Sequence, residues 1–203
     1  MTSGLPYNFL DLVNVMSSIK DNVFNNLNCH QVGTIQSFDP DSQTAVVTIN
    51  TKRLVALNPN QWEDYSPLID CPVIISGNKD QRITFPINSG DECLILFNDR
   101  EIDNWLSKGG SQPFTIGRTH DFSDAIILVG LRNSNNTLPT YNNEAIELNN
   151  SDTCKLSIYN DHIEIIGSIT SLNDIISGTV SLQNHTHNYL LNGHLTSTTP
   201  PLS

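Results

Sequence analysis

The sequence predicts a mainly β protein in three parts: an N-terminal helical segment (1–28), a small closed barrel (29–133), and a C-terminal region (134–203) that completes its core only with other copies of the chain. Three observations carry this. Apolar residues recur at spacings of three and four near the start. Short alternating runs broken by turn residues fill the middle. The last third alternates with period two but has little aromatic bulk.

The helix is read over "NFLDLVNVMSSIKDNVFNNLN" (Asn8–Asn28), where Phe9, Leu12, Met16, Ile19, Val23 and Leu27 mark one face. Asn8 is the expected N-cap, and Asp11 places a carboxylate in the first turn. Such a stripe has to be covered by its own domain, by sister chains or by a partner; the spacing alone does not choose.

From Cys29 to Asn133 the chain reads as short strands. "VGTIQSF" leads through "DPDSQ" into "TAVVTIN", with Asp39–Pro40–Asp41 as a turn: Pro presets its backbone angle and Asp caps its own turn. "CPVII", "RITFPI", "ECLILF" and "AIILVGL" follow, with a turn at Ser89–Gly90–Asp91. One short helix, "REIDNWL" (Arg100–Leu106), stops before Gly109–Gly110. This pattern favours a small barrel of OB type over a sandwich. Trp62 and Trp105 are expected to anchor its core.

After the loop "RNSNNTLPTYNN" come "EAIELNN", "CKLSIYN", "HIEIIGS", "TSLNDII" and "GTVSLQ", in which Ile146/Leu148, Leu156/Ile158, Ile163/Ile165 and Val180/Leu182 alternate. About sixty such residues make a poor independent core. Three copies wound around one axis would bury the apolar faces together and protect the strand edges. An intertwined trimeric β-helix or β-prism is therefore expected, with a plain β-sandwich extension as the alternative.

The formal net charge is −11, and Lys52–Arg53 is the one adjacent basic pair, which argues against a nucleic-acid partner. "MTSGLPYNFL" lacks the basic and apolar regions of a secretion signal, and the longest apolar run, about the length of "AIILVGL", falls short of the ~20 residues of a membrane helix. A soluble chain made in the cytoplasm is expected. Cys29, Cys71, Cys93 and Cys154 are widely spaced and read as free thiols.

The tail raises the functional question. No charged residue follows Asp174, yet "NHTHNYLLNGHLTSTTPP" holds His185, His187 and His194. On an extended strand, His185 and His187 share a face about 7 Å apart. If three chains meet on an axis, the pair becomes six ring nitrogens, a set that favours an octahedral ion such as iron or nickel over four-coordinate zinc. Two other readings stand beside it: polar residues on a solvated strand end, and a three-histidine zinc site including His194. The zinc site lacks a nearby carboxylate as base. His120, Asp121, Ser123 and Asp124 in "RTHDFSD" invite a hydrolytic triad, but no nucleophile-elbow context surrounds Ser123, and a structural turn is expected. No enzymatic activity is expected.

"TFPINSGDECLILF" (Thr84–Phe97), "LFNDREIDNWLSKGG" (Leu96–Gly110) and "GRTHDFSDAIILVGL" (Gly117–Leu131) resemble the OB-fold region of central spike proteins from contractile-tailed bacteriophages. The resemblance covers about Cys29–Asn133. It implies a homotrimer in the virion, at the tip of the tail baseplate. The barrel and N-terminal segment would dock on a baseplate hub protein, and a β-helical needle would pierce the host outer membrane on sheath contraction. It further implies one iron ion per trimer, bound at the apex by an HxH pair from each chain. "NHTH" matches that pair at His185 and His187, and His194 lies outside it. The continuation "NYLLNGHLTSTTPPLS" departs from the family and bears on the shape of the tip. A charge-free tip is consistent with piercing, since each charge costs roughly 2.5–3.5 kcal/mol near the bilayer centre; crowding on the axis would exclude charge equally well. A trimeric receptor-binding tail fibre or adhesin module is the alternative function.

Overall fold

The computed structural model describes residues 7–55 and 58–198, and the side chains of 11–55 and 60–198. The chain divides into two compact units, Met1–Thr137 and Leu138–Ser203.

The first unit opens with helix α1 (Tyr7–Asn26). Asn8 is thus the second helical residue rather than the cap, and Asp11 lies beyond the first turn; the cap position falls outside the described residues. Every residue from Asp11 to Asn26 is exposed, including Leu12, Met16, Ile19 and Val23 of the expected stripe. The side chain of Phe9 is outside the described set.

Among the described residues nine strands follow: β1 (His30–Asp39), β2 (Thr44–Ile49), β3 (Arg53–Val55), β4 (Asn58–Glu63), β5 (Leu68–Pro72), β6 (Ser76–Gly77), β7 (Arg82–Ile83), β8 (Glu92–Phe97) and β9 (Ala125–Val129). Five of them form one curled antiparallel sheet in the order β5-β2-β1-β8-β9. Its two edge strands meet where Val73, just after β5, forms a parallel bridge with Ile127, and the Ile74 amide donates to the Ile127 carbonyl at 2.8 Å. The alternation read from the sequence is realised in β2 and β8, where every second residue is buried. Ile35, Val47, Ile95 and Ile127 fill the concave side. Gly33 lets β1 and β2 close on this core: a Cβ there would lie 2.6 Å from Ile95 Cδ1 and 2.8 Å from the Thr48 carbonyl.

The Asp39 turn forms as expected. Its carboxylate accepts from the Asp41 amide at 3.0 Å and the Ser42 hydroxyl at 2.7 Å. "RITFPI" differs: only Arg82–Ile83 pairs, with Ser76–Gly77, and the ladder ends before Pro86. Helix α2 (Asp103–Lys108) starts three residues later than read and ends at Gly109, whose φ is +68°. Both tryptophans are exposed, a correction to their expected core role. Trp62 stands on the β3–β4 hairpin opposite Leu54, and Trp105 on α2, which buries no residue.

The second unit is built of local antiparallel pairs. β10 (Ile146–Ser151), β11 (Cys154–Ile158) and β12 (Ile163–Ile166) form a three-stranded sheet; β13 (Ile176–Ser177) pairs with β14 (Val180–Ser181), and β15 (Asn188–Leu191) with β16 (His194–Ser197). Register places Ile146, Ile158 and Ile163 in one cross-strand row and Leu148, Leu156 and Ile165 in the next, on the same face. This apolar face is open: Ile146 is 70% and Ile163 62% exposed. The opposite, polar face is the covered one, with Ser157 at 0% exposure. There Glu147 accepts from Ser157 at 3.1 Å and from Asn142 at 3.0 Å, and pairs with Lys155 at 3.5 Å.

Candidate metal centre

His185 and His187 lie between β14 and β15, outside any strand. What aims His185 is a turn over Ser181–Asn184. The Asp174 carboxylate accepts from the Gln183 amide at 3.0 Å, and the Ser181 hydroxyl accepts from the Asn184 amide at 2.8 Å. Hydrogen bonding, first from the Ser181 hydroxyl and then from backbone amides, holds Asp174 below the ordinary carboxylate range. The last charged residue of the chain is therefore a structural anchor of the turn. The His185 amide then donates to the Ser181 carbonyl at 3.0 Å. Its Nδ1 lies 3.0 Å from both the Ser181 and Leu182 carbonyl oxygens.

Carbonyls only accept, so those contacts assign the proton to Nδ1 and leave the Nε2 lone pair for a metal. Backbone carbonyls play the same orienting part behind ligating histidines generally. His187 is fixed from the other side, by the base of the β15–β16 hairpin: its amide donates to Thr198 Oγ1 at 2.9 Å and its carbonyl accepts from the Thr198 amide at 2.8 Å. The two imidazoles end with centroids 5.0 Å apart and planes at 87°. Neighbouring imidazoles on one ion, with metal–nitrogen bonds of about 2.1 Å, bring ring centres to about 4.5–5 Å. The observed centroid separation matches that of two rings sharing one ion. Strand alternation, the basis of the sequence argument, is not what brings these side chains together.

His194 is the first residue of β16, opposite Leu191 at the hairpin tip, whereas His187 precedes the hairpin base. Among the described residues no three His, Cys, Asp or Glu side chains gather where they could hold a metal. The turn at the tip is Asn192–Gly193, with φ of +50° and +82°. Asn-Gly between two short runs is a strong hairpin signal, and it was available in the sequence.

The "RTHDFSD" segment is structural. Asp121 caps a 3-10 turn (Phe122–Asp124) by accepting from the Ser123 amide at 2.9 Å. Asp124 is fully buried, accepts from Arg118 Nη2 at 3.0 Å and Nε at 3.1 Å, and accepts from the Ile102 amide at 3.1 Å ahead of α2. His120 contacts the Asn28 carbonyl through Nδ1 at 2.9 Å rather than Ser123. Glu101 was not singled out by its sequence context. Its carboxylate receives the backbone amides of Thr115, Ile116 and Gly117, and these bonds, Thr115 first, hold it below the ordinary glutamate range. The four cysteines are free. Burial pushes the thiols of Cys71 and Cys93 up to about 11, so neither is a thiolate at neutral pH.

Residues 32–130 match a family model described as phage protein Gp138 N-terminal domain, just under half of the chain. The match spans the curled sheet with Glu101, Arg118 and Asp124, and it indicates a phage protein. No curated protein matches the chain.

Proposed function

We propose that the chain is a non-enzymatic structural component of a contractile phage tail: the homotrimeric central spike at the tip of the baseplate, driven through the host outer membrane on sheath contraction. The family match supports a phage protein with a structural, tail-associated role in the virion. The sheet order and the parallel Val73–Ile127 bridge support reading residues 29–133 as an OB-type barrel. Residues 134–203 form the needle, and the helical segment (1–28), with its uncovered apolar stripe, docks on the hub protein.

The observation that carries this reading is the inverted second unit, which shelters Glu147 and Ser157 and leaves two rows of Ile and Leu in water. A single chain gains nothing from that arrangement. Burial is worth roughly 25 cal/mol per Å² of apolar surface, and here that gain is available only from other copies. Closed threefold symmetry supplies it while pairing each copy with the same surfaces.

The histidines then acquire a place. His185 and His187 of three chains would together hold one iron ion through six ring nitrogens, and what the ion supplies there is a crosslink at the point where strands have fewest neighbours. The chain's own part is orientation: Asp174 and Ser181 set the turn, two carbonyls set the His185 tautomer, and Thr198 ties His187 to the terminal hairpin.

Metal analysis combined with mass in solution tests this. The expected result is one iron per three chains, lost in His185→Ala/His187→Ala while the barrel stays folded. Stoichiometric metal retained by that variant overturns the site. One metal per chain would point to the zinc reading, and saturable binding of a surface glycan to the adhesin.

A further inference from the structure

We propose a second binding site, in the first unit: a cleft beneath the β6–β7 hairpin that takes an extended segment of a partner protein carrying alternating apolar and acidic side chains. The cleft has a volume of about 810 Å³, within the range of pockets that bind ligands. Phe38, Ile75, Ile87 and Val129 line it from the side of the barrel core, against which they pack, and Lys79 and Arg82 bring charge to it.

Those two cations stand apart from the rest of an acidic chain. The other eight Lys and Arg residues each have an ion pair or a side-chain hydrogen bond. Among the described residues, Lys79 and Arg82 have neither, and both line the same cleft. The hairpin that presents them is tightly built. Asn78 Oδ1 accepts from the Asp80 and Gln81 amides at 2.9 Å each, and Gly77, at φ +150°, sits where a Cβ would collide with the Gln81 carbonyl. Asp80, the acid in that turn, is not among the residues lining the cleft.

The backbone settles which anion fits. Along the same wall, Thr84, Phe85, Pro86 and Ile87 follow β7 as an unpaired edge. Among the described residues the amides of Thr84, Phe85 and Ile87 and the carbonyls of all four bond to no other group of the chain; Pro86 has no amide hydrogen to give. Pro86 biases Phe85 towards an extended conformation. A strand laid along this edge gains main-chain hydrogen bonds, alternate apolar side chains reach the floor, and a carboxylate meets Lys79 and Arg82 in charge-assisted bonds. A fatty acid or anionic lipid matches the cations and the floor but has no backbone for the edge.

The test is selection from a displayed random decapeptide library on the full chain, followed by titration of a dye-labelled selected peptide. Enriched sequences should place Asp or Glu between alternating apolar residues. Lys79→Glu/Arg82→Glu, two exposed positions whose change leaves the melting temperature in place, should weaken binding at least tenfold. N-methylation of one alternate set of peptide amides should abolish binding and the other set should not. No enrichment over the charge-reversed variant, or affinity indifferent to reversal or to both methylated sets, overturns the proposal. Decanoate or phosphatidylglycerol vesicles binding wild type where no peptide does would replace it with an amphiphile site. This site is independent of the tail histidines, so either proposal can fail alone.

Discussion

The two units use the same alternating β pattern and come to opposite ends. In the first, the sheet curls until its edges meet and, among the described residues, twelve apolar side chains are buried within one chain. In the second, among the described residues, Ser157 is the one buried side chain, and the apolar rows face outwards. Alternation thus specifies that a strand has an apolar face but not which chain covers it. Closure separates them: β1 is long enough, and bent enough by the register shift between Ile35 and Ser37, to pair with both β2 and β8 and carry the sheet round. The strands after Leu138 are short and pair only with their sequence neighbours, so they form faces without an inside.

That contrast breaks most visibly at the open face. Ile146→Asp/Ile163→Asp puts charge on the cross-strand row without touching the first unit. Sedimentation should show the mass falling from three chains to one. Both tryptophans lie in the first unit, so tryptophan fluorescence should still report its cooperative unfolding. Wild type that already sediments as one chain would remove the need for sister copies.

The converse substitutions should cost stability without changing mass. Ile95 is fully buried, and Ile95→Ala should lower the unfolding free energy read by tryptophan fluorescence by about 2–5 kcal/mol. Asp124→Ala leaves Arg118 without its buried partner and frees the Ile102 amide, a loss of about 3 kcal/mol. An assembly that dissociated with either variant would mean that the units are not separable in the way their burial patterns imply.

The sequence made the strands legible where burial within the chain follows period two, as in β2, β8 and β9, and made the Asp39 turn legible because the residues that form it are adjacent. It pointed to His185 and His187 for a reason the structure replaces. Their proximity comes from the Asp174–Ser181 turn and from Thr198, contacts of nine and eleven residues' separation that strand periodicity does not encode. The exposed tryptophans were misread because aromatic bulk implies burial only on average. "RITFPI" was misread because Ile, Thr and Phe mark strand propensity, whereas its pairing within the chain stops at Ile83, ahead of Pro86. Glu101 was illegible for a plainer cause: its partners are backbone amides, which have no letter in a sequence.

Glu101 also sharpens the comparison with the smallest effect. Its carboxyl titrates below the ordinary glutamate value in the folded chain, because three amides favour the charged form. A depressed carboxylate contributes stability that is fully present above the unfolded value, about 4.3, and lost as pH falls through the folded value below it. Glu101→Gln offers those amides a neutral acceptor at every pH. The variant should therefore melt a few degrees below wild type at pH 7, and the two curves should converge as pH falls through the folded value of Glu101, where the wild-type side chain itself becomes neutral. The signal belongs to the first unit alone, since the Glu101 carboxylate and the Thr115–Gly117 amides all lie within it. A constant offset between the curves down to pH 2 would mean that the charge of Glu101 does not hold the loop, and that its shape does.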